Sequence, residues 1–227
     1  MSQEQWSAVD QYFSDALVDS DPALTMALEV STAAGLPPIH VAPNQGKLLH
    51  MLAKLWGGTG ARRILEIGTL GGYSTIWLAR ALAPGGRLVT LEFDPKYAEV
   101  ARANLARAEL SRVVEVRVGR AIDTLPMVAA EGLGPFDIVF IDADKPSNPD
   151  YFAWALRLTK KGSVIIIDNV VRDGKVIDPA STDPSIKGVR RLMEMLKAER
   201  RVTATAMQTV GSKGYDGFAI AVVVADE

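Results

Sequence analysis

Phe136-Asp137-Ile138-Val139-Phe140-Ile141-Asp142-Ala143-Asp144-Lys145 is an apolar run that stops on acids, and Ser163-Val164-Ile165-Ile166-Ile167-Asp168-Asn169 repeats the pattern. Short runs of bulky and β-branched residues read as strands of a parallel sheet covered on both faces. Their carboxyl ends then set oxygen-bearing side chains and one lysine along a single sheet edge. Between Asp142 and Asp168 there is room for one crossover helix and a return, the smallest βαβ repeat. Adjacent strands lie roughly 5 Å apart, so the two aspartates are placed to share a cation with a base beside it.

Working outward, strand-length apolar runs alternate with helix-period segments from Ile64 onward, the pattern of a doubly wound α/β sheet. The expected strands are Arg63 to Ile67, Arg87 to Glu92, Val113 to Val118, Phe136 to Asp142, Ser163 to Asp168, Val202 to Met207 and Phe218 to Val224. Helices are expected at Tyr73 to Leu82, Pro95 to Ala108, Ala121 to Glu131, Pro149 to Leu158 and Ser185 to Ala198. The last two strands are separated by Gln208 to Gly217, a glycine-rich stretch that suits a hairpin and an antiparallel finish. Ahead of the sheet, residues 3–18, residues 22–34 and, after Pro37-Pro38, residues 44–56 read as amphipathic helices. They are too few to form a domain of their own. They are expected to cover the sheet edge, close a ligand site or mediate dimerisation. The whole, 1–227, reads as one domain, with helices in 1–56 and an α/β core in 62–227. Val170 to Pro184 is the longest loop, directly after the second acidic strand end, and reads as a lid.

Composition narrows the function. The chain has 227 residues, 48% hydrophobic and 23% charged, which suits one folded domain with a buried core. The formal charge of −2, without a long basic run, argues against a nucleic-acid partner. With no cysteine, disulfides, thiolate zinc sites and cysteine nucleophiles are excluded. The amino terminus Met-Ser-Gln-Glu-Gln-Trp is polar and acidic, and no apolar run approaches the ~20 residues of a membrane span. The expected location is cytoplasmic, with no membrane partner.

The other informative strand end reads Ile64-Leu65-Glu66-Ile67-Gly68-Thr69-Leu70-Gly71-Gly72-Tyr73-Ser74, a strand, a glycine turn and a helix start. Glycines there let the backbone approach a ligand and leave helix amides free to bind it. Tyr73, which opens the helix beside that turn, is placed to touch the ligand. Glu92 ends the next strand, the usual place for a carboxylate that binds a ribose diol. Gly68, Gly71 and Gly72 do not give the G-x-G-x-x-G dinucleotide spacing, and Glu66 would repel a pyrophosphate. S-adenosylmethionine, with its amino group and sulfonium, fits better.

With Glu66-Ile67-Gly68, Glu92, Asp142-Ala143-Asp144-Lys145 and Asp168-Asn169 in this order, the chain resembles the cation-dependent O-methyltransferases of the caffeoyl-CoA and catechol type. The resemblance runs from about Pro37 to the end. It implies the class I methyltransferase fold, a Rossmann-like seven-stranded sheet that is mostly parallel with an antiparallel C-terminal strand. It also implies that Asp142, Asp168 and Asn169 ligate the metal and that Lys145 is catalytic. Contacts to S-adenosylmethionine carry over onto Val41, Glu66, Gly68, Thr69, Ser74, Glu92 and Ala121, with Asp142 and Asp144 bordering the methionine end. Gly72 and Tyr73 join that set through the glycine turn, and a homodimer is expected. Two positions depart from the pattern. Gln45 stands where the family often has an acid, and Asp216-Gly217 is followed by Phe218-Ala219 rather than the glutamate of the animal catechol enzymes. The chain is therefore most similar to the bacterial and plant branch.

An all-oxygen set of two carboxylates and an amide suits a hard dication, with Mg²⁺ ahead of Mn²⁺ and Ca²⁺. A vicinal dihydroxyaromatic can chelate such an ion through both oxygens. A phenol's pKa is about 10, so its hydroxyl needs activation, and Lys145 is placed to take the proton. Two other readings stand beside this one: a nicotinamide-dependent dehydrogenase, disfavoured by Glu66 and the glycine spacing, and a non-catalytic adenosylmethionine-binding protein. His40, His50, Tyr151 and Trp154 read as structural, packing or surface residues.

Overall fold

Three helices of this chain begin on the same dipeptide. Asp21-Pro22, Asp94-Pro95 and Asp183-Pro184 each place an aspartate that accepts first-turn amides in front of a proline that needs no donor. In the computed structural model, which describes residues 2–226, such starts punctuate eight helices and seven strands. Met1 and Glu227, the two ends of the expected domain, lie outside the described residues. The order is α1 (Gln3–Leu17), α2 (Pro22–Ala33), α3 (Pro43–Leu55), β1 (Arg63–Ile67), α4 (Tyr73–Ala79), β2 (Arg87–Glu92), α5 (Pro95–Arg107) and β3 (Val114–Val118). It continues with α6 (Ala121–Ala130), β4 (Phe136–Ile141), α7 (Asn148–Arg157), β5 (Thr159–Asp168), α8 (Pro184–Ala198), β6 (Val202–Gly211) and β7 (Gly214–Val223).

The sheet order is β3-β2-β1-β4-β5-β7-β6, with β7 antiparallel to both β5 and β6 and the other pairs parallel. This is the doubly wound arrangement with an antiparallel finish that the pattern predicts. Side-chain alternation sorts the core into two layers. Leu65, Ile67, Val139, Ile141, Ile165 and Ile167 pack under α6, α7 and α8. Ile64, Leu88, Ile138, Phe140 and Ile166 pack under α2 to α5. The register pairs Ile67 with Ile141 and Ile141 with Ile167, so the ends carrying Gly68, Asp142 and Asp168 line up across β1, β4 and β5.

Two expectations change at the C-terminal hairpin and its neighbour. The glycine-rich stretch Gln208 to Gly217 is ladder rather than loop, with Gln208 paired to Gly217 and Gly211 to Gly214, leaving Ser212-Lys213 as the turn. Its glycines mark close approach: a Cβ on Gly217 would lie 2.1 Å from the Met207 carbonyl oxygen, and one on Gly211 2.4 Å from the Asp10 carboxylate. β5 starts at Thr159 rather than Ser163, because a register irregularity between Phe136 and Ile138 lets the strand resume after Lys160-Lys161-Gly162. Among the described residues no helix is long and apolar enough to cross a membrane.

Candidate functional site

Above the aligned strand ends lies a cavity of about 1260 Å³. β1 reaches it through Gly68, whose φ of +103° is open to glycine. A Cβ there would sit 2.0 Å from the Asp142 carbonyl oxygen, so residue 68 must be glycine for β1 and β4 to close side by side. Gly72, at φ +81°, sets the start of α4 and packs against Ala101 rather than lining the cavity. Thr69, Tyr73 and Ser74 do line it, as do Val41 from the segment before α3 and Ala121 from the first turn of α6. Neither α4 nor α6 has a side-chain cap. Their first-turn amides therefore remain open to a ligand.

Glu92 ends β2 on the cavity wall. Its Oε2 accepts from the Leu70 amide at 2.7 Å and its Oε1 from the Asp94 amide at 2.9 Å, while burial raises its pKa. These amides hold the carboxylate on the cavity wall, where it can face a ligand diol. Glu66, by contrast, stands one layer behind the wall. It is fully buried and accepts hydroxyls from Ser74 (2.7 Å), Thr90 (2.7 Å) and Thr75, and Thr69 in turn bonds to Thr90. Strand alternation explains this, because Leu65 and Ile67 face α6 to α8 and Glu66 faces α4. Glu66 therefore orients the cavity-lining Ser74.

Burial raises the pKa of Glu66 from 4.5 to about 7, against the three hydroxyls that lower it. Between those values the folded protein keeps a proton that the unfolded chain has released, so this group makes stability fall as pH rises through that window. Glu66→Gln cannot ionise and is expected to flatten the fall, read from denaturant unfolding at the two ends of the window. An unchanged slope would assign the proton uptake to other groups.

At the other end, Asp142, Lys145, Asp168 and Asn169 all line the cavity. Lys145, only 8% exposed, donates from Nζ to Asp142 Oδ1 at 2.9 Å. Asp168, 5% exposed, accepts from Gln45 Nε2 at 2.7 Å and from the Asn169 amide at 2.9 Å. Burial raises the Asp168 carboxyl most and the Asp142 charge adds to it, while Lys145 opposes both. Asn169 sits at φ +58°, a conformation that asparagine tolerates better than most residues. Among the described residues no group of three or more His, Cys, Asp or Glu stands together as a metal site. The set here is two facing acids completed by an amide, and its excess of buried negative charge fits a hard cation with oxygen ligands. Asp144 also lines the cavity, its Oδ1 accepting the Tyr151 hydroxyl.

Several lining residues lie outside the expected set. Gln45, noted only as a departure, contacts Asp168 directly. Tyr151 and His40, read as packing or structural residues, both line the cavity. His40 Nδ1 lies 2.9 Å from the Val41 carbonyl, and its ring stands 5.4 Å from that of Tyr73. Position beside Val41 and seven residues after Asp144 were the available signals. His50 and Trp154 remain packing residues, His50 against Trp77 and Trp154 beneath Arg157.

The roof comes from the N-terminal helices. Val9, Asp10 and Phe13 of α1, Ser31 of α2 and Asn44 of α3 all face the cavity, which gives these helices a part in closing the site. Asp10 ties them together, accepting from Asn44 Nδ2 at 2.9 Å and from the Ser212 amide at 2.7 Å. The loop expected as a lid is anchored at its start: Val171 and Arg172 amides donate to Asp216 and Val170 to the Gly217 carbonyl.

A family model described as O-methyltransferase matches residues 15–220. A catechol O-methyltransferase of Niastella koreensis is 53% identical over 223 residues, covering 98% of this chain and 100% of that one. A catechol O-methyltransferase of Mycobacterium tuberculosis is 54% identical, covering 95% of this chain and 94% of that one. Among solved structures, an O-methyltransferase from Bacillus cereus in complex with SAH superposes with a TM-score of 0.95 at 58% identity, covering 98% of this chain and 100% of that one. The Streptomyces achromogenes O-methyltransferase TomG in complex with SAM gives a TM-score of 0.94 at 53% identity, covering 99% and 100%.

Proposed function

The chain belongs to the O-methyltransferase family, and from that premise we propose that it methylates one hydroxyl of a catechol-like vicinal dihydroxyaromatic, using a divalent cation and Lys145 as general base. It is an S-adenosylmethionine-dependent enzyme on the class I methyltransferase fold. The observation that carries the finer reading is the meeting of Asp142, Asp168, Asn169 and Lys145 on one cavity wall beside Gly68, Thr69 and Ser74. The names of the two catechol O-methyltransferases support the acceptor class.

Asp142, Asp168 and Asn169 would hold the cation, with Mg²⁺ the first candidate. Val41, Gly68, Thr69, Tyr73 and Ser74 would hold the methionine half of the cofactor, with Asp142 and Asp144 at its border. Glu92 would take the ribose diol, and the uncapped amides at Ala121 would face the base. When bound, the cofactor supplies an electrophilic methyl carbon with a thioether as leaving group, and the cation supplies Lewis-acid stabilisation of the phenolate. Lys145 receives the phenol's proton at Nζ. Nζ lies 2.9 Å from Asp142 Oδ1, which sets it beside the ligand set, and it would take up the proton as the neutral amine. Gln45 fixes the Asp168 carboxylate, and the roof of α1 excludes water from the attacking oxygen. The expected homodimer has an available surface in the outer edge of β6, which is exposed along nearly its whole length.

Catechol should form S-adenosylhomocysteine and a mono-methyl ether in the presence of Mg²⁺, and phenol should give neither, because a single oxygen cannot be both chelated and oriented. Equal rates for the two acceptors would refute the chelation reading.

A further inference from the structure

Besides Lys145, the acceptor end of the cavity carries two cations from two different elements. Arg172 follows the metal-edge residue Asn169, and Lys213 occupies the β6–β7 turn; both line the cavity. Arg172 is matched by Asp216 at 3.6 Å. Lys213 is not matched: among the described residues it forms no ion pair, and its Nζ meets only the Pro38 carbonyl at 3.0 Å and His40 Nε2 at 3.4 Å. The tautomer of His40 follows from its other bond. Nδ1–H donates to the Val41 carbonyl, which leaves Nε2 as an acceptor for the lysine. An ammonium carries three donors, so one N–H of Lys213 is uncommitted. The nearby acids are engaged elsewhere, with Asp10 on Asn44 and the Ser212 amide, Asp216 on Arg172 and backbone amides, and Asp173 paired with Lys175.

This lysine is not a loose surface group. Its turn is held by Gln3 Nε2 donating to the Gly211 carbonyl at 2.9 Å, by the Ser212 amide on Asp10, and by its own bond to Pro38. The same cavity is lined by the exposed apolar side chains Phe13, Ile39 and Val210, which suit the flat body of an aromatic. β7 also bounds its distance from the metal edge. Phe218 pairs with Asp168, and the five residues back to Lys213 span at most about 17 Å of extended chain. A cation within that bound, lining the same cavity as Asp168, can meet an anionic group borne by the acceptor away from its two hydroxyls.

On the methyl-transfer reading above, we propose that the acceptor is a vicinal dihydroxyaromatic carrying a carboxylate, or an equivalent anionic group, away from its hydroxyls, and that Lys213 reads that charge. Lys213 is a specificity-determining residue and takes no part in proton transfer.

The test compares matched acceptors that differ only in charge: 3,4-dihydroxybenzoate with its amide, and 3,4-dihydroxycinnamate with its amide. Each pair is assayed with Mg²⁺ on the wild type, Lys213→Gln and Lys213→Arg. In the wild type, kcat/KM for the carboxylate of at least one pair should exceed that of its amide by about tenfold, a ratio that shrinks with added salt. Lys213→Gln should bring the ratio near one, and Lys213→Arg should keep most of it. Taking the ratio within each variant removes any general loss of folding or turnover. A wild-type ratio near one, or a ratio that survives Lys213→Gln, overturns the proposal. Weakened S-adenosylmethionine binding in Lys213→Gln by calorimetry, with the acceptor ratio intact, overturns it too and assigns the lysine to the cofactor's own carboxylate. If catechol is methylated and both pairs show no charge preference, only the Lys213 proposal fails. If no dihydroxyaromatic is methylated, the methyl-transfer reading fails and takes the proposal with it.

Discussion

Asp168→Ala should lower turnover with catechol by about 10³-fold or more, because Lewis-acid stabilisation is worth several kcal/mol and each 1.36 kcal/mol is a factor of ten. The loss should appear first as weaker metal binding, read by calorimetry with Mg²⁺ or Mn²⁺. The fold should tolerate the change. Asp168 is a buried acid whose ionised form is already penalised by burial and by Asp142, so its removal also relieves unfavourable charge. The groups left without this partner are the Gln45 side-chain amide and the Asn169 backbone amide, both in partly buried contacts. Asp168→Asn keeps the shape and loses the charge, and it should fall between the wild type and the alanine variant. Undiminished metal affinity in Asp168→Ala would remove this residue from the ligand set.

Lys145→Met should lower kcat by about 10²- to 10⁴-fold, the range that a positioned general base supplies. Cofactor affinity should stay within about twofold, since Lys145 meets Asp142 and the acceptor end rather than the ribose or adenine contacts. Methionine replaces the aliphatic stem of a side chain that is 8% exposed, so packing is largely kept. Lys145→Arg separates charge from proton transfer, because a guanidinium keeps the ion pair and cannot give up its proton at working pH. It should be nearly as slow as the methionine variant. Unaltered turnover in either variant places the base elsewhere.

Much of this site is legible in the chain because the chemistry sits at strand ends, where an apolar run meets an acid. The two acid-tipped strands do become neighbours, β4 beside β5, and β1 lies on the other side of β4. That adjacency brings the Gly68 turn next to Asp142. Alternation alone could also have shown that Glu66 faces away from Leu65 and Ile67. The charge of Glu66 reads as a ligand contact in sequence, and in the structure its carboxylate accepts hydroxyls from Ser74, Thr75 and Thr90. The glycines of the last hairpin misled for a related reason. Gly211 and Gly217 are small because other backbone and Asp10 press on them, not because the chain turns there.

Gln45, Arg172 and Lys213 could not be found from spacing. Gln45 meets Asp168 across 123 positions, and Lys213 meets Pro38 across 175. Such contacts exist only once α1 and α3 close over the sheet edge. The acceptor wall is therefore built from the parts of the chain that carry no periodic signal, and the cofactor wall from those that do.

The central claim is that a cation held at the ends of β4 and β5 makes the acceptor reactive. Its most direct measurement is methyl transfer to catechol after exhaustive chelation, followed by titration with Mg²⁺. Turnover lost in chelator and restored by Mg²⁺, with S-adenosylmethionine binding present throughout, is the expected result. Full turnover with chelator in excess contradicts it.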